Sequence, residues 1–272
     1  MQTRDEPKKT LADAKPNSLQ MSAGLTVKRF VKSFFQVFGL DVSFAKPVQH
    51  VDPMTDGLRR LAHLGLKFNT VIDVGAAIGS WSVTAKSIWQ HASFLMVEPL
   101  SERVEDLEKL TRSTPGFHYA SVAAGKEKGQ VTFTVSDDDL FGAGVARNAE
   151  SSSTSNGLRQ VTVNSLDNEI RDRNLPGPYL VKLDTHGFEL PILEGCVKIL
   201  PEVNAFIIEC YGFQIADGSL LYWEMCQHMD RLGFRTFDVV DILHRPADNS
   251  FWQFDIFFIR KDHPVFNHSS YR

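Results

Sequence analysis

Val71-Ile-Asp-Val-Gly-Ala-Ala-Ile-Gly-Ser-Trp-Ser82 is the stretch that decides the fold. Its apolar first residues predict a short buried strand, and two glycines four residues apart open the helix that follows. Gly75 permits a tight turn from strand to helix, and Gly79 lets a ligand lie against bare backbone. Strand, glycine loop and helix in this order predict the first unit of a Rossmann-like α/β fold.

The acidic residue in this stretch restricts the ligand. The pattern is D-x-G-x-x-x-G and lacks the G-x-G-x-x-G spacing that brings a pyrophosphate onto a helix N-terminus. Asp73 instead supplies a carboxylate at that point of the turn. We therefore expect a ligand with a cationic part, such as an ammonium or a sulfonium group.

A second acid ends the next apolar run, Phe94-Leu-Met-Val-Glu-Pro99. A carboxylate at this place in a nucleotide-binding fold accepts two hydrogen bonds from a ribose diol. Glu98 is therefore predicted to hold a ribose.

From residue 69 onward, short apolar runs alternate with helical patterns, which predicts a mainly parallel sheet with helices on both faces. The seven predicted strands are 70–74, 93–98, 118–122, 179–184, 205–210, 235–240 and 253–260. Between the third and fourth, the alternating stretch 130–135 and the Gly-, Ser- and Asp-rich stretches 137–144 and 151–157 predict an excursion from the sheet that ends in a mobile loop. That loop is either a lid over the site or a simple insertion.

A third motif is Tyr179-Leu-Val-Lys-Leu-Asp-Thr-His-Gly-Phe-Glu-Leu-Pro-Ile-Leu-Glu-Gly195. The strand ends at Asp184, a turn follows, and a helix begins near Glu189. With the first two motifs, this run resembles the FkbM-type methyltransferases, whose hallmark is K-[IL]-D-x-x-G-x-E-x-x-[IV]-L-x-G. The resemblance covers residues 69–260, which is most of the chain.

The resemblance implies a class I methyltransferase fold, S-adenosylmethionine as the methyl donor, and usually O-methylation of a sugar, glycan or polyketide-type natural product. It also implies the cofactor-binding residues, with the methionine end near the glycine loop, the ribose at the second strand and the adenine near 120–125. These residues are Asp73, Gly75, Ala76, Gly79, Glu98, Pro99 and Val122. Many relatives carry Asn where Ala77 stands, so any hydrogen bond from that side chain is absent.

An alcohol that receives a methyl group must lose a proton, so a general base is expected at the carboxyl ends of the middle strands. We predict Asp184 or His186 as the base and Glu189 as an orienting group or a charge on the helix dipole. A divalent-metal arrangement of Asp184, His186 and Glu209 is a weaker alternative because no spacing demands it, and no metal is predicted. Asp255 is expected to be structural or to lie on the acceptor side.

Composition argues against several classes of function and location. A formal net charge of -4 over 272 residues provides no broad basic field, so a nucleic-acid partner is not expected and the acceptor should be a small molecule or a glycan. Cys196, Cys210 and Cys226 lie too far apart for a zinc motif and are expected to be buried free thiols. No apolar run approaches the length of a membrane span, and a cytoplasmic location is predicted.

Three segments are expected along the chain: a disordered leader at 1–24, a helical extension at 25–66 and the methyltransferase domain at 67–272. Residues 25–38 form an amphipathic pattern rich in phenylalanine. A cap on the sheet or a contact in a homo-oligomer is the favoured interpretation of this helix, and docking on a membrane surface is the alternative.

Other classes remain open at this point. A nucleotide-dependent oxidoreductase shares the order of strand, turn and acid, although Asp73 and the missing G-x-G-x-x-G count against it. A noncatalytic binding module on the same fold would lack the cofactor-binding residues at several positions, and only Ala77 departs from the pattern. N- or C-methylation is an alternative to O-methylation, because the cofactor motifs do not specify the acceptor.

Overall fold

The computed structural model describes residues 52–136, 139–145 and 157–271, and between 134 and 145 it describes the backbone only. The predicted leader, the predicted helix at 25–38 and most of the Ser-rich stretch lie outside these residues. The domain boundaries at 24 and 66 therefore stay predictions.

The described chain alternates strands and helices. The strands are β1 (Thr70–Val74), β2 (Ser93–Val97), β3 (Phe117–Ala120), β4 (Ala123–Ala124), β5 (Gly129–Ser136), β6 (Asp139–Val145), β7 (Leu158–Asn164), β8 (Tyr179–Leu183), β9 (Val203–Tyr211), β10 (Phe234–His244) and β11 (Phe251–Arg260). The α-helices are α1 (Pro53–His63), α2 (Ser80–Ile88), α3 (Val104–Ser113), α4 (Leu166–Arg173), α5 (Glu189–Glu194) and α6 (Tyr222–Arg231). Short 3-10 turns occupy Ser101–Arg103, Leu200–Glu202 and Pro264–Asn267.

The main sheet has seven strands in the order β10-β11-β9-β8-β1-β2-β3. They are the seven strands that the sequence predicts. Neighbours from β9 to β3 pair in parallel, whereas β11 pairs antiparallel with both β9 and β10. The predicted mainly parallel, seven-stranded α/β sheet is confirmed.

Helices cover both faces of the sheet, as predicted. One face packs against α4, α5 and α6 through residues such as Ile170, Ile192 and Met229, and the other packs against α1, α2 and α3 through residues such as Leu58 and Leu107. Because both faces are covered, β1 and β8 are buried along their whole lengths.

The order of the strands positions the site. From β1 the chain moves outward to β2 and β3, and it later returns to β8 on the other side of β1. The crevice between β1 and β8 is therefore the topological switch point, where ligands bind in open α/β sheets. In this pair Asp73 lies opposite Lys182, and Val74 opposite Leu183.

The excursion after β3 contains more structure than the sequence predicts. The stretch 130–135 lies within β5, which pairs with β6 and β7, and β4 completes a second sheet in the order β4-β7-β5-β6. The sequence patterns did not reveal β6 and β7. Residues 146–156 lie outside the described chain, so the choice between lid and insertion stays open.

No helix in the described parts of the chain has the length and apolar character needed to cross a bilayer.

Candidate functional site

A cavity of about 430 Å³ opens at the carboxyl ends of β1, β2, β8 and β9. The three sequence motifs meet in its wall, as strand order requires. The predicted site residues that line it are Asp73, Gly75, Ala76, Glu98, Pro99, Asp184 and His186. The predicted residues Gly79, Val122 and Glu189 lie outside the lining.

Each of these three has another role in the structure. Gly79 begins α2 with φ 78°, and a Cβ there would lie 2.5 Å from Leu110 Cδ1, so the glycine permits close packing of α2 on α3. Val122 packs against the core beneath the sheet. Glu189 is buried at the start of α5, where its Oε1 accepts hydrogen bonds from Gly187 N and Thr185 Oγ1, both at 3.0 Å. Glu189 therefore shapes the turn that carries His186.

Asp73 occupies the cavity floor without exposed surface. Its Oδ2 accepts a hydrogen bond from Ser82 Oγ at 2.7 Å, while its Oδ1 has no hydrogen-bond partner among the described residues and lies 4.0 Å from Lys182 Nζ. Burial raises the pKa of Asp73 despite the opposing effect of Lys182. The indole Nε1 of Trp81, another lining residue, also lacks a hydrogen-bond partner within the described ranges.

Glu98 lies at the end of β2, as predicted for a ribose-binding acid. Its Oε2 accepts from Ala77 N and its Oε1 from Leu100 N, both at 2.9 Å. Each carboxylate oxygen can accept a further hydrogen bond, so the group can still bind a diol. Burial raises the pKa of Glu98 against the effect of those two backbone donors.

Lys182, the first residue of the K-[IL]-D-x-x-G hallmark, is a cavity residue to which no role is assigned from sequence. It is buried in β8, lines the cavity and donates a hydrogen bond from Nζ to Asp184 Oδ2 at 2.6 Å. Burial alone would lower the pKa of Lys182, but Asp184 and Asp73 raise it above its ordinary value. The sequence does indicate a charged partner for Lys182, because a lysine inside an otherwise apolar, fully buried strand requires one.

Asp184 and His186 meet a third residue, Glu209, at the end of β9. His186 Nε2 lies 3.5 Å from Asp184 Oδ1 and 3.7 Å from Glu209 Oε2. Burial tends to raise the pKa of Asp184, but the Lys182 ammonium outweighs that effect and lowers it. Burial and the nearby Asp184 raise the pKa of Glu209 to about 8.

Hydrogen bonds from two neighbouring side chains hold Glu209 in place. Its Oε2 accepts a hydrogen bond from the Tyr211 hydroxyl, and its Oε1 accepts one from Gln253 Nε2 on β11. Asp255 lies opposite Glu209 in the antiparallel pair of β9 and β11. Burial raises the pKa of Asp255 to about 7 against the effect of Lys182.

The strand order, the antiparallel β11 between β9 and β10, and a site at the switch point define a class I methyltransferase fold. Residues 73–236, more than half of the chain, match the family model described as the methyltransferase FkbM domain. The chain belongs to this family, as the sequence motifs predict.

Solved structures show weak overall similarity. Methyltransferase FkbM from Methylobacillus flagellatus KT is 16% identical with a TM-score of 0.43, and the match covers 70% of this chain but only 44% of that one. The Burkholderia thailandensis 1,6-didemethyltoxoflavin-N1-methyltransferase, with bound 1,6-didemethyltoxoflavin and S-adenosylhomocysteine, is 12% identical over 92% of this chain and 94% of that one, at a TM-score of 0.42. An rRNA methylase from Streptococcus thermophilus is 11% identical over 78% of this chain and 99% of that one, at a TM-score of 0.43. A search among curated proteins found no match.

Proposed function

We propose that this methyltransferase uses S-adenosylmethionine and transfers its methyl group to a hydroxyl of a small molecule or glycan. The observation that carries the proposal is the pair of unpartnered polar atoms in the lining residues Asp73 and Trp81, one an acceptor and one a donor. A zwitterionic methionine moiety offers an ammonium to the first and a carboxylate to the second. Both atoms are shielded from solvent, so side chains of the lining must move for the ligand to reach them.

Glu98 adds support for the nucleoside part of this ligand. It lies at the end of the strand next to β1 and retains an acceptor position on each oxygen. Asp73 places a carboxylate in the glycine turn and disfavours the pyrophosphate of a dinucleotide there, whereas Glu98 suits the ribose of either cofactor. An oxidoreductase that binds NAD is therefore the weaker candidate.

The cluster of Asp184, His186 and Glu209 supports a hydroxyl acceptor. Methyl transfer is an in-line displacement in which the bound cofactor supplies a methyl group on a cationic sulfur. A neutral alcohol is a poor nucleophile until it loses its proton, whereas an uncharged amine can attack directly. A group of proton-accepting atoms at the cavity wall is therefore more useful to an O-methyltransferase than to an N-methyltransferase.

The test is calorimetric titration of the full chain with S-adenosylmethionine, S-adenosylhomocysteine and NAD. Binding of the first two in the micromolar range without binding of NAD supports the proposal. Asp73→Asn should weaken S-adenosylmethionine binding at least tenfold, because the amide cannot neutralise the ammonium. Asp106→Asn, on the exposed face of α3, is the matched control and should bind as the unaltered chain does.

The acceptor requires a second assay. Formation of S-adenosylhomocysteine is measured against a panel of hydroxylated sugars, glycans and natural products, with amines of similar size as the comparison set. Turnover with hydroxylated compounds alone supports O-methylation. Turnover with amines alone contradicts it, and cofactor binding without turnover on any compound favours a noncatalytic module.

A further inference from the structure

Three donor atoms converge on one end of the cavity. Asp184, His186 and Glu209 each offer one ligand atom, and these three atoms lie within 4.8 Å of one another. The distances of 3.5 and 3.7 Å from His186 Nε2 to the two carboxylates are too long for good hydrogen bonds. Two ligand atoms that each lie about 2.1 Å from a metal ion are about 3 to 3.4 Å apart. The two distances from His186 Nε2 are close to this separation.

The three groups are held from outside the cluster, as metal ligands usually are. Lys182 binds the other oxygen of Asp184, which leaves Oδ1 facing His186. Tyr211 and Gln253 each donate a hydrogen bond to Glu209. Neither ring nitrogen of His186 has a hydrogen-bond partner among the described residues, so its donor or acceptor capacity is unused.

The charges around this end of the cavity are unbalanced, which is a separate observation. Four carboxyl groups, those of Asp73, Asp184, Glu209 and Asp255, lie around the single ammonium of Lys182. Buried or half-buried carboxylates in excess are costly unless a cation or a proton compensates them. A dication between Asp184 and Glu209 would compensate them without loss of the ion pair with Lys182.

We propose that Asp184, His186 and Glu209 bind one divalent metal ion and leave coordination positions open toward the cavity. Two carboxylates and one imidazole suit Mn²⁺ or Zn²⁺ better than Ca²⁺, which prefers oxygen ligands alone. This site departs from the prediction, made from sequence, that no metal is bound.

The role of the ion rests on the proposed function. An acceptor hydroxyl bound at an open position has a lowered pKa and releases its proton to solvent water. The resulting oxygen forms the new bond to the methyl carbon as the bond from that carbon to sulfur breaks, and the electron pair of the broken bond stays on sulfur. His186 is then a ligand of the ion, and water rather than the imidazole accepts the proton.

The experiment uses the full chain, stripped with EDTA and titrated with MnCl₂, with bound Mn²⁺ counted by electron paramagnetic resonance and its affinity measured by calorimetry. We expect one Mn²⁺ per chain. Glu209→Gln and His186→Asn should each weaken binding at least tenfold. Asparagine suits the second position because His186 has φ 53°, a conformation that asparagine tolerates, and its side chain is too short to replace Nε2.

Asp106→Asn on the exposed face of α3 is the control, because it removes a distant negative charge and keeps all three ligands. It should change the Mn²⁺ affinity less than threefold. Circular dichroism checks that each variant is folded, and S-adenosylmethionine is titrated in parallel. No Mn²⁺ bound up to millimolar concentration, or equal affinity in all variants, overturns the metal site even if the cofactor binds. If the unaltered chain does not bind S-adenosylmethionine, that result instead contradicts the proposed function.

Discussion

Gly75 packs directly against the main chain of Asp184, so closely that a Cβ on residue 75 would lie 1.9 Å from the Asp184 carbonyl oxygen. Asp184 N also donates a hydrogen bond to Val74 O at 3.0 Å. The turn after β1 and the turn after β8 therefore touch backbone to backbone. This contact brings the cofactor motif and the predicted catalytic motif to one cavity wall.

Gly75→Ala should strongly destabilise the protein. It introduces the clash with Asp184 and a side chain at φ 80°. We expect the free energy of unfolding to fall by about 3 kcal/mol or more, measured by urea denaturation. Gly65→Ala is the control, since Gly65 has a similar φ of 73° and nothing within 4 Å of the added Cβ. In Gly65→Ala the free energy of unfolding should fall only by the cost of a left-handed backbone, about 1 kcal/mol. Equal losses of stability in the two variants would contradict the steric argument.

Glu98→Gln should weaken both the turn and the cofactor site. The amide nitrogen must face a backbone N–H, either that of Ala77 or that of Leu100, and one acceptor for the ribose is lost. We expect the dissociation constant for S-adenosylmethionine to rise at least tenfold and the free energy of unfolding to fall by about 1 kcal/mol. Calorimetry measures the dissociation constant and urea denaturation the free energy of unfolding. Glu105→Gln, at an exposed position on α3, is the control. Unchanged affinity would remove Glu98 from the proposed site.

Ala77→Asn should be tolerated at the cavity and slightly stabilising. Ala77 has φ 48°, a left-handed conformation that asparagine adopts more readily than alanine. We expect a gain of about 0.5 kcal/mol in the free energy of unfolding and no loss of affinity for S-adenosylmethionine. A fall in the melting temperature by differential scanning fluorimetry would show that the turn relaxes differently in solution.

Asp255 should make stability depend on pH. Its pKa is raised from 3.8 to about 7 in the folded chain, so the folded state binds its proton more tightly than the unfolded state does. The stability that this proton supplies is present at acid pH and is lost as the pH rises through about 7. With EDTA present, Asp255→Asn should be more stable than the unaltered chain by about 2 kcal/mol at pH 8.

The comparison for this prediction is made at pH 5, where the difference between Asp255→Asn and the unaltered chain should be much smaller. Urea denaturation at each pH measures it. Asp106→Asn should show no such change with pH, since that side chain is exposed. A constant difference between pH 5 and pH 8 would mean that Asp255 does not titrate with the raised pKa.

The main sheet could be predicted because each strand buried on both faces appears as a continuous apolar run between helical patterns. The second sheet could not. Strand β4 has two residues, and Ala123 pairs with Val163, far along the chain. Neither a two-residue strand nor a long-range pairing leaves a local periodicity, so only the polar character of the segment was visible.

Asp73 and Glu98 could be predicted from the sequence because each lies at or beside the end of a strand, next to a glycine or proline turn. Glu189 is predicted as an orienting group, and in the structure its carboxylate accepts hydrogen bonds from Gly187 N and Thr185 Oγ1 and so orients the turn that carries His186. Lys182 belongs to the hallmark motif, but no role could be assigned to it until the structure placed its ammonium beside Asp184.

By itself, the sequence determined the alternation of strands and helices, the glycine turn and the acids at the strand ends, because these depend on periodicity and on residues adjacent in the chain. Only the tertiary structure decided that His186 meets Glu209 as well as Asp184, and that Lys182 lies between Asp73 and Asp184. Those contacts depend on which strands are neighbours and in which register they pair. Both follow from packing of the whole sheet rather than from any local stretch of chain.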